Sequence, residues 1–270
     1  MSLLELRDIS VSYGKKTIIK DISLSLEGGR WLMVVGPNGA GKTTLVRAIA
    51  QSVPYTGSVL LDGQDVRELT PGQRALEIGV LSQTHHIDYG FRVEEVVRMG
   101  RYAHERSAGI NLGGLWGTRD RDGDMAVRQA MERTGISELA ARSVMTLSGG
   151  EMQRMFFAQL LAQDPGILIL DEPMNHLDPE YQQQLLSLIR DWLAEGKRQD
   201  KKARAVISVM HDLSMARAYG DEALLLSEGQ AVSCGSVQEV LRREALRDVY
   251  HTDVIAWQKE MTAFWDEETE

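Results

Sequence analysis

Nine residues, Gly36, Pro37, Asn38, Gly39, Ala40, Gly41, Lys42, Thr43 and Thr44, follow the apolar run WLMVV. They fit the pattern G-x-x-x-x-G-K-[ST], with Gly36, Gly41, Lys42 and Thr43 at the specified positions. Glycines let backbone N–H groups converge on phosphate oxygens, and a helix starting near Lys42 adds its partly positive end. Lys42 is then set to reach β- and γ-phosphates, and the Thr43 hydroxyl to ligate Mg²⁺. The anion that suits this loop is a nucleoside triphosphate.

Such a loop needs a second, carboxylate-bearing strand. The stretch GILILDEP supplies one, ending in Asp171 and Glu172. Asp171 can hold the Mg²⁺ shell and Glu172 can polarise the attacking water. Upstream lies LSGGEMQR, residues 147 to 154. Ser148 sits where a helix N-cap is expected, and Gly149, Gly150 and Glu151 open the helix, whose end would present donors to a phosphate.

These three stretches together resemble the P-loop, carboxylate strand and signature motif of the ATP-binding cassette (ABC) ATPases, and the resemblance covers nearly the whole chain. It implies roles for further residues. Tyr13 in SYGKK matches the aromatic that stacks on adenine, and Gln83 in VLSQ the glutamine linking Mg²⁺ and water to a membrane-facing subdomain. Asp178, closing NHLD, matches the loop that crosses between subunits, and His211 in VMHD the histidine that contacts the γ-phosphate. Glu172, His211 and Gln83 would then serve catalysis, and Thr43, Gln83 and Asp171 the metal.

In that family the P-loop of one subunit and the signature of another enclose the same ATP. One copy of each motif therefore implies a homodimer, or a pair with a similar second subunit, around two ATP molecules. The resemblance of FRVEEVVRMGRYAH to importer ATPases implies a motor for iron-siderophore, haem or cobalamin uptake, working with an integral membrane permease and indirectly with a substrate-binding protein. Zinc and manganese importer ATPases look similar. A soluble ATPase of iron–sulfur cluster assembly is the alternative from another class.

The elements that must position these residues follow from periodicity. LLELRDI, DISLSL, WLMVVG, SVLLDG and IGVLSQ read as strands punctuated by glycine. From Val93 to Gln163 the spacing turns helical, and after Pro165 apolar strands alternate with helical stretches, as in a parallel sheet built of βα units. The expected fold is a single α/β domain over 1–270, a P-loop NTPase core of ABC ATPase type with an N-terminal antiparallel β region. Residues 1–84 and 165–241 form the catalytic core, 85–164 an inserted helical subdomain and 242–270 a helical tail with a frayed acidic end. The stretches 105–124 and 196–202 lack a clear period and are expected to be loops.

Composition narrows the partners. The net charge is −9, from 39 acidic and 30 basic residues, so no bulk attraction to nucleic acid or anionic lipid is expected. A single cysteine, Cys234, excludes an internal disulfide. The longest apolar run, WLMVV, is far below the roughly 20 residues that span a bilayer. The opening residues also lack the pattern of a secretory signal. A cytoplasmic protein, peripheral on the inner face of the membrane, is the expectation.

Overall fold

The computed structural model describes residues 2–82, 89–107, 121–175, 177–196 and 202–266. Strands β1 (Ser2–Tyr13) and β2 (Lys16–Glu27) pair antiparallel, after which β3 (Trp31–Val35) runs into helix α1 (Lys42–Ile49). Next, β4 (Thr56–Leu61) pairs antiparallel with β1, and the short β5 (Gln64–Asp65) completes a four-stranded sheet in the order β2-β1-β4-β5. Helix α2 (Pro71–Glu77) then leads into β6 (Ile78–Leu81).

Helices α3 (Val93–Met99), α4 (Tyr102–Ser107), α5 (Arg121–Arg133) and α6 (Gly149–Gln163) intervene before the chain re-enters a sheet as β7 (Ile167–Asp171). The remaining units are α7 (Pro179–Glu195), β8 (Ala205–Val209), α8 (Leu213–Tyr219), β9 (Glu222–Ser227) and β10 (Gln230–Ser236). Three helices close the chain: α9 (Val237–Val240), α10 (Arg243–Tyr250) and α11 (Val254–Asp266). The second sheet has the order β10-β9-β3-β8-β7-β6, parallel except for the β9–β10 edge. The α/β class and the antiparallel N-terminal sheet are as the sequence implies.

Alternation along the central strands divides the core. Trp31, Met33 and Val35 of β3 join Leu168, Leu170 and Val206 in a cluster shared with helices α3 and α5 to α10. Leu32 and Val34 join Ile167, Ile169, Ile207 and Val209 in a second cluster, shared with α1 and the first sheet. Successive side chains point to opposite faces, and both faces are covered. Hence β3, β7 and β8 read as unbroken apolar runs, and their C-terminal ends carry the loops that hold polar chemistry.

The helices between β6 and β7 are tied together at the end of α6. Arg101 donates to the Ala162 carbonyl at 2.9 Å and His104 to that of Gln163 at 2.7 Å. These bonds satisfy carbonyls that a helix C-terminus leaves without intrahelical partners. Gln163 in turn donates to Ala75 and Ile78 carbonyls, which joins α6 to the start of β6.

Two expectations change. The segment 105–124 is helical at both described ends, since Glu105 to Ser107 belong to α4 and Arg121 to Asp124 to α5. Gly123 masks the start of α5, but Asp122 and Asp124 favour the positive end of a helix, and Val127, Ala130 and Met131 supply its buried face. At the C-terminus, α11 includes Trp265 and Asp266, so the first residues of the expected frayed end are helical. Residues 197–201, within the second expected loop, lie outside the described residues.

Candidate functional site

The loop after β3 owes its path to glycine. Gly36 has φ +148 and a Cβ there would fall 2.2 Å from the Leu226 carbonyl oxygen of β9. Gly41, at φ +100, is the N-cap of α1 and brings no side-chain cap. The back of the loop is pinned by the β9–β10 turn, where the Gly229 N–H donates to the Ala40 carbonyl at 3.1 Å. Asn38 and Gly39 stand exposed at the tip, while Thr43 and Thr44 lie in the first turn of α1.

Lys42 is buried, and its ammonium donates to the Gly36 and Pro37 carbonyls at 2.8 and 2.9 Å. Burial pushes its pKa down, against the pull of the Glu172 and Asp171 carboxylates. Thr43 Oγ1 donates to Asp171 Oδ1 at 3.2 Å, which joins the loop to the end of β7 across 128 residues of sequence. Burial pushes the Asp171 carboxyl up; the Thr43 hydrogen bond opposes this, while the neighbouring Glu172 charge reinforces it.

Glu172 adopts φ +55, a left-handed conformation that costs a non-glycine residue about 1–2 kcal/mol. Its side chain is 12% exposed. His211 Nε2 donates to Oε1 at 2.6 Å and Asn175 Nδ2 to Oε2 at 2.5 Å. The loop lysine, Thr43, Asp171, Glu172 and His211 therefore converge at the C-terminal ends of β3, β7 and β8. This is the crevice where parallel α/β sheets bind ligands.

Hydroxyl and carboxylate oxygens at Thr43 and Asp171 suit Mg²⁺, which takes one or two protein oxygens and keeps phosphate and water for the rest. The donor set therefore fits the metal that the sequence implies.

The signature stretch stands apart. Ser148 caps α6, its hydroxyl accepting from the Glu151 N–H at 3.2 Å while Glu151 accepts from the Ser148 N–H at 2.7 Å, a reciprocal capping box. Arg142 pairs with the Glu151 carboxylate at 3.2 Å. Ser148 and Gly149 are exposed and Gly150 is half-buried; among the described residues no hydrogen bond or ion pair of this stretch reaches residues 36–44. Asp178 is exposed and caps α7, accepting from the Tyr181 N–H at 3.1 Å. Tyr13 is 48% exposed at the end of β1. Gln83, His85, His86 and His176 lie outside the described residues.

Gln182 escapes sequence reasoning, and so do the individual contacts of Asn175 and Gln153, although these two lie within the stretches NHLD and LSGGEMQR. Gln153 of α6 donates to the Pro173 carbonyl, and Gln182 of α7 donates to the carbonyls of Met174 and Leu177, both at 3.2 Å. The signal that could have marked the Asn175 contact is its place at the start of NHLD, three residues after a candidate base and within a Pro-containing turn.

A family model described as ABC transporter matches residues 19–175. The chain is similar to the hemin import ATP-binding protein HmuV of Pseudomonas fluorescens, 39% identical over 259 residues that cover 94% of each chain. It is also similar to the ferric enterobactin transport ATP-binding protein FepC of Escherichia coli, 35% identical over 243 residues, 90% of this chain and 84% of that one. Among solved structures, an ATP-binding cassette of an ABC transporter in its ADP conformation superposes with a TM-score of 0.76. That structure is 21% identical and the match covers 93% of this chain and 98% of the other, which is a likeness of fold.

Proposed function

This chain belongs to the ABC transporter ATP-binding family, and from that premise we propose that it is the ATP-hydrolysing motor of an importer for haem, iron-siderophore or cobalamin. The hemin and enterobactin names of its relatives support the substrate group and weigh against the iron–sulfur assembly alternative. Among the described residues no helix is long and apolar enough to cross a membrane. The import and transport names of its relatives support integral membrane permease subunits as its partners.

The observation that carries the reading is the set Thr43–Asp171 and Glu172–His211 beside the buried Lys42. The backbone N–H groups of the loop 36–44, which Pro37 lacks, and the Lys42 ammonium bind the β- and γ-phosphates, for which Lys42 exchanges its bonds to the Gly36 and Pro37 carbonyls. Thr43 and Asp171 would hold Mg²⁺, and the family resemblance adds Gln83 to that set. When bound, Mg²⁺ neutralises charge on the phosphate oxygens. Water forms the new bond to the γ-phosphorus as the bond to the β-phosphate oxygen breaks. Glu172 takes the proton that this water sheds. His211 holds Glu172 Oε1 and stands next to the γ-phosphate. Tyr13, exposed at the strand end, stacks on the adenine.

Ser148, Gly149, Gly150 and Glu151 of a second copy close over the same ATP, with Asp178 crossing between the subunits. Closure therefore accompanies ATP binding and hydrolysis releases it. The segment from Tyr89 to Tyr102, in which Tyr89, Met99 and Tyr102 are exposed, receives a permease helix. Arg98 in the same segment is paired with Asp124 of α5 at 2.5 Å.

Glu172→Gln tests the chemistry and the dimer together. An amide can hold the water but cannot accept its proton, so turnover should fall by about 10²- to 10⁴-fold while ATP stays bound. The stalled variant should run as an ATP-dependent dimer on size-exclusion chromatography, and adding Ser148→Arg should return it to monomer. Hydrolysis by Glu172→Gln at the wild-type rate would remove Glu172 from the mechanism.

A further inference from the structure

Glu172 is gripped twice by one residue. The Asn175 N–H donates to the Glu172 carbonyl at 3.3 Å, and the Asn175 side-chain amide donates to Oε2 at 2.5 Å. The first contact helps to maintain the left-handed backbone at φ +55, together with the bond from the Glu172 N–H to the Val209 carbonyl at 3.3 Å. The second occupies the carboxylate oxygen that His211 does not hold.

The turn carrying Asn175 is anchored from both sides, by Gln153 of α6 at Pro173 and by Gln182 of α7 at Met174 and Leu177. Met174 and Leu177 are themselves buried. The position of the amide is therefore set by the helix that begins at the signature and by the helix that begins after Asp178.

We propose that Asn175 is a positioning residue for hydrolysis: its side-chain amide orients the Glu172 carboxylate and ties that orientation to α6 and to the turn ending at Asp178. This rests on the reading of Glu172 as the base. A carboxylate on a flexible side chain rotates about its terminal bond, and a donor held on each oxygen stops that rotation. Each oxygen accepts more than one hydrogen bond, so a water can still be received. Because the amide is neutral, it fixes the carboxylate without competing for its charge as a lysine would.

The test compares Asn175→Ala, Asn175→Asp, Asn175→Ser and Glu172→Gln in the full chain, by steady-state ATPase kinetics and by direct binding of ATP. Misplacement of a catalytic group by about 1 Å costs on the order of 10²-fold. Asn175→Ala should therefore lower kcat by about tenfold or more, with KM and ATP affinity within about twofold of wild type. Asn175→Asp, nearly equal in size and as suited to the turn but without the donor, should be at least as impaired. Asn175→Ser, which keeps a donor, should lie between wild type and Ala. A purely structural role predicts instead that Asp behaves as wild type. Wild-type kcat in the Ala or Asp variant, or a loss confined to KM, overturns the proposal. Glu172→Gln separates the two layers: if it stalls while Asn175→Ala turns over normally, only the positioning role fails, and if it hydrolyses normally, the reading of the base fails and takes the positioning role with it.

Discussion

Two helices of this chain begin at glycine-rich stretches, and they begin in opposite ways. The N-cap of α1 is Gly41 at φ +100, without a side-chain cap, and the first helical residue is the buried Lys42. The N-cap of α6 is Ser148 in a closed capping box, with the acidic Glu151 in its first turn. At α1 the leading amides and a cation leave a place for an external anion. At α6 the chain supplies its own oxygens, and Glu151 already offsets the positive helix end. One terminus is a cradle; the other is a finished surface that can add donors only to a phosphate held elsewhere. Similar glycine content thus encodes two different tasks, according to what surrounds it.

The largest effect that bears on this contrast is expected at Lys42. Lys42→Ala should lower ATPase activity by on the order of 10²-fold, the scale for losing one charge-stabilising donor. Nucleotide titration should show weakened ATP binding, with thermal stability changed by about 1 kcal/mol, since two hydrogen bonds to loop carbonyls are lost. Unchanged ATP binding would place the anion site elsewhere and erase the distinction between the helices.

A smaller effect is expected at Ser148. Removing an N-cap oxygen costs about 1 kcal/mol, so Ser148→Ala should lower Tm by about 2–4 °C in calorimetry. ATP affinity of a single chain should stay the same, because among the described residues no hydrogen bond or ion pair joins the start of α6 to residues 36–44. A parallel fall in single-chain affinity would make α6 a cradle as well.

The smallest concerns acid. The Ser148 N–H holds the Glu151 carboxyl below its ordinary value, with Arg142 and Arg154 adding to this. Because the folded-state pKa is depressed, the capping box contributes fully above the ordinary carboxylate value and is lost as pH falls through the lower, folded one. The pair is solvent-screened, so the contribution is roughly a few tenths of a kcal/mol. Glu151→Gln should lose that small contribution near neutrality and show a correspondingly flatter decline of Tm into acid. An acid limb identical to wild type would mean that the carboxylate is not the ionised partner in the cap.

Much of the candidate site is legible in the sequence. The path through Gly36, Gly41, Lys42 and Thr43, the strand ending in Asp171 and the cap at Ser148 each depend on residues within a few positions of one another. The start of α5 is not legible, because Gly123 and the charges around it hide a helix whose buried face only its neighbours complete. The contacts of Asn175, Gln153 and Gln182 escape for a related reason: an amide acquires its partner only from the carbonyl or carboxylate it meets.

The features that follow from the order of residues alone are therefore local: the glycines that permit a loop around an anion, the capping box at 148 to 151, and apolar runs long enough for strands covered on both faces. The rest depends on how distant segments come together. Only the order β9-β3-β8-β7 carries Thr43 to Asp171 across 128 residues and His211 to Glu172 across 39. Those contacts depend on which strands lie side by side, a choice set by the summed burial on both faces of the sheet rather than by any one segment. The left-handed turn at Glu172 belongs with them, because its strain is sustained by partners on β8 and by a turn anchored from α6 and α7.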